Sequence, residues 1–501
     1  MKWLVLLFLP GMMFANTLHI GVNYDYDNLA DAARSASPGD TLLFHQGIYT
    51  NSQYVANLQG HSTAWITIKA AEGESVICRG GTQAWHLVNP AYVRISGIVF
   101  EQQTANGVNV DDGGDYSTPA HHIEFIDCIF RDMNASGNND LLKLSGVDSF
   151  KILDCRFENG SAGGSGIDMV GCHDGEISGC SFENMGSNAI QAKGGTADIL
   201  IARNGFKNCG HRAVNLGGST GLPYFRPADA PYEAANLHVF ANVFIGSMAP
   251  IAYVGCVNVE VVNNTIVRPE KWVIRILQET VDPDRFVECG DNSFKHNLIV
   301  INNLSVETNI GPNTRPETFE FYGNFWYNSD RPNWDGPSIP VTDPQQVINQ
   351  NPNFVDGEHE NFHLQPNSPA IGLISYDGAP THDFDRHAYA NPRSVGAFEG
   401  NPPTLIEKSH SPVPKNSLLC RAYPNPFNNA LTFSYELETP GRTRMVLYDL
   451  RGRHRRELID THQAEGAYNA SFTFAELPTG VYYYRIEHGQ KQANGKVVLL
   501  R

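Results

Sequence analysis

Lys143, Asp168, Gln191 and Asn215 follow one another at intervals of 25, 23 and 24 residues. Asn109 precedes them; Ala252 and Arg275 extend the series after a longer gap. Polar side chains repeated at such a spacing form a column if the chain coils with that period. A second column two residues further on runs Asp111, Ser145, Val170, Lys193, Gly217, Val254 and Leu277. Amines, guanidiniums and a carboxylate within reach of one another suit β-elimination on a uronic-acid polymer. That reaction needs a neutralised carboxylate, a base for the adjacent proton and an acid for the leaving oxygen. Arg212, Arg226 or Arg275 would neutralise the carboxylate. Lys143 or Lys193 would be the base, provided that crowding by other cations lowers its pKa. Asp168 would help to hold a metal ion.

Other residues cluster around these columns. Gln191 and Asn215 are expected to hydrogen-bond a sugar. The interval from Asn215 to Ala252 is stretched by GSTGLPYFRPADAPYEA, residues 218–234. Long insertions on a repeat scaffold commonly carry function. Here Tyr224, Phe225 and Tyr232 would stack on sugar faces, Arg226 would grip an acidic group and Glu233 would join the binding surface; a packing flap that keeps its aromatics buried is the alternative. RILQE (275–279) adds Gln278 and Glu279, and HRAVN (211–215) is similarly polar. Asp111, Asp112 and Asp115 are the candidate ligands for Ca²⁺, the one cofactor in view; a plain acidic turn is the alternative.

The elements that must position these groups are short. IEFIDCIF, ILDCRF, ISGCSF, IARNGF, VFANVF and VVNNTI, between residues 123 and 266, alternate apolar and polar residues. A second strand-like fragment follows each. Such strands cannot bury a face alone, so they stack coil on coil. The fold expected is all-β: a right-handed parallel β-helix over residues 16–400, followed by a small antiparallel β-sandwich. Cys128, Cys155, Cys180 and Asn204 would form an interior column. Cys172 and Cys256, several coils apart, are not expected to bridge. Leu29, Ala32, Ala33 and Ala36 have helical spacing and would cap the open end of the stack.

Composition bounds the function. The 501 residues carry a formal net charge of −17, which argues against nucleic acid and anionic membranes as partners. Residues 1–15 read as a secretory leader, and no segment is long enough for a transmembrane span. A monomer is expected. Residues 401–417 read as a linker.

Residues 27–50 resemble the entry segment of secreted β-helix proteins, including the polysaccharide lyase group that holds alginate lyases and chondroitinase B. SPAI (368–371) and VGAFE (395–399) resemble the closing segment of bacterial β-helix repeat proteins. YPNPFN (423–428), YDLRGR (448–453) and LPTGVY (477–482) resemble the C-terminal sorting domain of the type IX secretion system, over residues 418–501. That resemblance implies the secretion machinery as a partner, and a secreted or outer-membrane surface location in a Gram-negative bacterium. The function expected is a lyase on an acidic polysaccharide. A non-catalytic glycan-binding or surface protein, a glycoside hydrolase and a uronate epimerase stay open. For hydrolysis, Asp168 would need a partner such as Asp111, Asp174 or Glu233.

Overall fold

The computed structural model describes residues 15–115, 117–302 and 304–400, and most of 420–499. The leader, apart from Ala15, and the linker lie outside the described residues, as do 424–426 and 450–452 within the sorting motifs. The chain divides into two compact units, residues 1–403 and 404–501.

Three parallel sheets, of 13, 12 and 10 described strands, wind through the first unit. One coil illustrates the path: Ala120–Ile126 in the first sheet, Ile129–Arg131 in the second and Leu142–Ser145 in the third. Each strand pairs in register with its equivalent one coil on, as Phe130 does with Phe157. The turn between the first two strands uses a left-handed residue, Asp127, Asp154 or Asn263 among them. Short polar side chains tolerate that conformation.

Inside the stack, Phe100, Phe130, Phe157, Phe182, Phe206 and Phe244 form a continuous pile, with centroids 4.6–5.0 Å apart. That spacing follows from the separation of neighbouring strands, about 4.8 Å. The cysteine column is also present, and Cys180 N donates to Asn204 Oδ1 at 2.9 Å. From there the column continues as Asn242, Asn264, Asn297 and Asn324, a run longer than the sequence motif suggested. Each of these asparagines accepts the backbone N–H of the preceding one at 2.9 Å. The ladder therefore satisfies buried polar groups that would otherwise oppose burial. Cys172 and Cys256 are buried free thiols.

The expected helix spans Leu29–Ser35, capped by Asn28 Oδ1, which accepts from Asp31 N at 3.0 Å. Leu29 and Ala32 are buried in the main core. The closing segment behaves differently from a simple end plug. It runs back along the outer face of the second sheet. There Val395 packs with Leu298 and Phe325, and Ala397 with Val243 and Val267. Asn263 Nδ2 fixes it by donating to Ser394 O at 3.0 Å and Gly396 O at 3.1 Å.

The second unit is an antiparallel sandwich. Cys420–Tyr423, Ala430–Leu437 and Gly466–Thr473 make one sheet. Gly441–Asp449, His454–Gln463, Gly480–His488 and Lys491–Leu499 make the other. Phe433, Leu447, Tyr484 and Leu499 lie in its own core.

Candidate functional site

The third sheet carries the polar columns on its outer face. Its register pairs Asn109 with Lys143, Lys143 with Asp168, Asp168 with Gln191 and Gln191 with Asn215. The series continues through Ala252 to Arg275. The alternation puts Val108, Leu142, Ile167, Ile190 and Val214 inside, so the polar residues between them must face out.

Lys143, Gln191, Asn215 and Arg275 of this series line a cleft with two joined compartments. Asn138, Lys193 and Ser219 border both. One compartment, of about 460 Å³, is lined by Gln191, Asn215, His211, Arg212, Trp272, Arg275 and Glu279. The other, of about 530 Å³, is lined by Lys143, Asp111, Asp112 and Tyr224. Asn138 comes from the segment between the second-sheet and third-sheet strands of one coil. Ser219 and Tyr224 come from the 218–234 insertion.

Asp168 is buried between two lysines that line the cleft. Its side chain is 1 % exposed. Lys143 Nζ donates to Oδ2 at 2.6 Å, and Lys193 Nζ pairs with Oδ1 at 3.0 Å. Lys143 also reaches Asp140, at 3.4 Å. Burial raises the Asp168 pKa, but Lys193 and Lys143 outweigh burial and hold the carboxyl below its ordinary value. Burial similarly lowers that of Lys143, but Asp168 and Asp140 overcome it and leave the amine above its ordinary value. Lys143 is therefore not the depressed-pKa base that the sequence suggested: its neighbours include two carboxylates. Asp140 is pushed up to about 6, first by burial and then by Asp168. In this structure Asp168 clasps two lysines.

At the other end, Arg212 pairs with Glu279 at 2.5 Å and donates to Asn215 Oδ1 at 3.2 Å. Arg275 Nε donates to Asn309 Oδ1 at 3.0 Å, and its guanidinium lies 4.7 Å from the Trp272 ring centroid. Burial and the neighbouring Arg212 lower the Arg275 pKa. Lys193, Arg212 and Arg275 thus face this compartment with Glu279 as the one carboxylate among its lining residues.

Several expected residues serve the scaffold instead. Arg226 turns away from the cleft. It grips Asp148 bidentately, at 2.7 and 2.6 Å, and donates to Gly171 O at 2.8 Å. Burial raises the Asp148 pKa, but hydrogen bonds from Arg226 and His173 bring it down to about 2. Phe225 is fully buried and clusters with Ala230 and Phe286, with Tyr232 packed against them. Of the three aromatics proposed to stack on sugars, Tyr224 is the exposed one, at 64 %. Glu233 is buried and accepts from Gly194 N, Thr220 N and the Thr220 and Thr280 hydroxyls at 2.5–2.8 Å. Gln278 accepts from Cys289 N at 2.8 Å and donates to Thr280 O. The insertion can lie this close to the coil because residue 195 is glycine. A Cβ there would come within 2.4 Å of Arg226 O, and φ is +88°.

Each carboxylate of the acidic run has a protein partner of its own. Asp111 pairs with His86 at 2.5 Å. Asp112 Oδ1 accepts from Gly114 N, and Asp115 accepts from Ser117. Asp174 lies on the first sheet, away from this cleft.

Trp272, Asn138 and Asp140 were not singled out from the sequence, because all three lie in connections. The signal available for Trp272 was its place between Lys271 and Arg275; Lys271 Nζ is 4.2 Å from its ring.

Residues 84–266 match the family model of the right-handed β-helix region, and residues 421–500 match that of the secretion system C-terminal sorting domain. The chain is a right-handed β-helix protein with a sorting domain. That domain implies a type IX secretion link and a secreted or cell-surface location. No curated protein matches the sequence. Among solved structures, the pectate lyase Pel9A is similar over 78 % of this chain and 97 % of its own, at 13 % identity and a TM-score of 0.51. An alginate lyase from Paenibacillus sp. str. FPU-7 is similar over 67 % of this chain and 99 % of its own, at 15 % identity and a TM-score of 0.38. At 13 % identity the likeness to Pel9A concerns the fold alone. No helix among the described residues is long and apolar enough to cross a membrane.

Proposed function

We propose that the third-sheet cleft binds an acidic polysaccharide and cleaves it by β-elimination. The observation that carries this reading is the charge of one compartment: three cations against one carboxylate, on a chain of net charge −17. A local positive site on an acidic protein selects an anionic ligand. Gln191, Asn215 and Asn188 supply neutral hydrogen bonds, and Trp272 offers a flat apolar face, both suited to sugar rings.

In this mechanism Arg212 and Arg275 hold a uronate carboxylate and stabilise the negative charge that develops on it. Lys193, once it has released its own proton to solvent, takes the proton from the carbon next to the carboxylate. The electron pair of that C–H bond becomes the new C=C bond, and the glycosidic C–O bond breaks. The departing oxygen takes a proton from His211, whose ring lines the same compartment. Lys143 remains a cation and keeps Asp168 and Lys193 in place. Export through the outer membrane of a Gram-negative bacterium would put the enzyme in contact with extracellular glycans.

The test is incubation of the protein with alginate, pectate, chondroitin and neutral glycans, with and without Ca²⁺. Unsaturated products absorbing in the ultraviolet are expected from one acidic glycan. Reducing ends without that absorbance would mean hydrolysis and overturn the proposal. A non-catalytic binding role draws on a second observation: Lys193 and Arg212 already have partners in Asp168 and Glu279. Saturable glycan binding without products of either kind would establish that role.

A further inference from the structure

The geometry points to a transition-metal site on the closing segment, formed by Asp383, Asp385 and His387. One ligand atom from each lies within 4.8 Å of the other two, which is close enough to share a single ion. Among the described residues this is the one such group of histidine, cysteine and carboxylate ligands.

The donors are held rather than scattered. Asp383 is 1 % exposed, and its carboxylate accepts from His387 N at 2.7 Å and from Glu399 N at 3.0 Å. Each oxygen keeps a lone pair beyond those bonds. His363, from the strand Asn361–Leu364, approaches from another part of the chain, and its Nε2 lies 2.6 Å from Asp385 Oδ2. Its ring rests on Phe398 at 4.3 Å. This is the outer-shell arrangement that orients a ligating carboxylate. Asp385 and His387 are exposed, so an ion has a path in and water can complete its coordination.

One imidazole and two carboxylates suit Zn²⁺ or a neighbouring divalent ion better than Ca²⁺, which takes oxygen donors. The ion would tie the 383–387 turn together where it lies against the side of the β-helix. Nothing in this inference depends on the cleft or on its ligand.

The experiment is calorimetric titration of the full chain with Zn²⁺, beside His387→Ala and Asp385→Asn. Both substitutions are at exposed positions, and circular dichroism checks that each variant keeps its β spectrum. The expected result is a saturable equivalent present in the parent and lost in both variants, with Zn²⁺ raising the thermal midpoint of the parent alone. Co²⁺ in the same site should give visible absorption that the variants lack. No saturable binding to the parent, or the same stoichiometry in either folded variant, overturns the assignment.

Discussion

Lys193 Nζ lies 3.0 Å from Asp168 Oδ1, although the two residues stand on successive coils. Lys143 reaches the same carboxylate from the coil on the other side. A buried anion thus fixes two amines at the centre of the cleft. Substituting Asp168 by Asn leaves those amines without their counter-charge. Losing one member of such a cluster should cost about 3 kcal/mol, measured by urea unfolding. Substituting Lys193 by Ala should leave one lysine on the carboxylate, keep the fold, and lower turnover at least about 100-fold if Lys193 is the base.

Arg212 and Arg275 should act on substrate affinity. Alanine at either position should weaken binding of an acidic glycan while leaving neutral glycans unaffected. The parent's affinity should fall as salt rises, because the attraction is between charges in an open cleft. Calorimetry at two ionic strengths reads both effects. A parent affinity insensitive to salt would remove the electrostatic argument.

Asp140 sets a pH dependence of stability. Its pKa is pushed up to about 6, above the ordinary value of 3.8, so folding favours the protonated carboxyl. Its stabilising contribution is complete below pH 3.8 and is lost as pH rises through about 6. Asp140→Asn should therefore be more stable than the parent at pH 7, with the gap closing toward pH 4. Asp140 Oδ1 accepts from Ser165 N, a bond that asparagine can keep. Denaturant midpoints across that range provide the check.

The Arg226–Asp148 pair has the opposite sign. Asp148 is held at about 2, so its stabilisation is present above pH 3.8 and disappears as pH falls through about 2. At neutral pH, Arg226→Ala should free the 218–234 insertion. Limited proteolysis should then cut within it, and glycan binding should weaken while the β spectrum stays unchanged.

The asparagine ladder is a stability element with no part in the cleft. Asn264 accepts from Asn242 N and donates to Val239 O, both buried. Replacing it with alanine strands those groups and should cost on the order of 2–4 kcal/mol by denaturant unfolding.

The coil register was readable from the sequence because β-strand alternation and a period of 23 to 25 residues act together. A slip of one residue would have buried Lys143 and exposed Leu142. The fate of Arg226 was not readable. Its partner lies 78 residues earlier, and only the folded stack brings the two together. The case of Lys143 is mixed: its place in the column beside Asp168 was visible, and Asp168, joined by Asp140 from a connection, reverses the expected pKa shift. Asn242 and Asn264 sit in the same kind of fragment as the cysteines, but irregular loops break the spacing that would join them and Asn297 and Asn324 to the column at Asn204. Phe225 and Tyr232 take the packing-flap alternative, because aromatic content alone does not distinguish a sugar platform from a small core.

The strap from Arg226 to Asp148 changes how the β-helix can come apart. A stack of coils that touch only their immediate neighbours can peel from an end, one repeat at a time. This strap leaves one coil, spans the next and anchors on the one beyond, with Gly171 O and His173 as further holds. The strap therefore couples the opening of the coils between residues 148 and 234. Asp168, Gln191, Lys193 and Arg212 stand on that block, so the middle of the cleft should keep its spacing even while the ends of the solenoid fray.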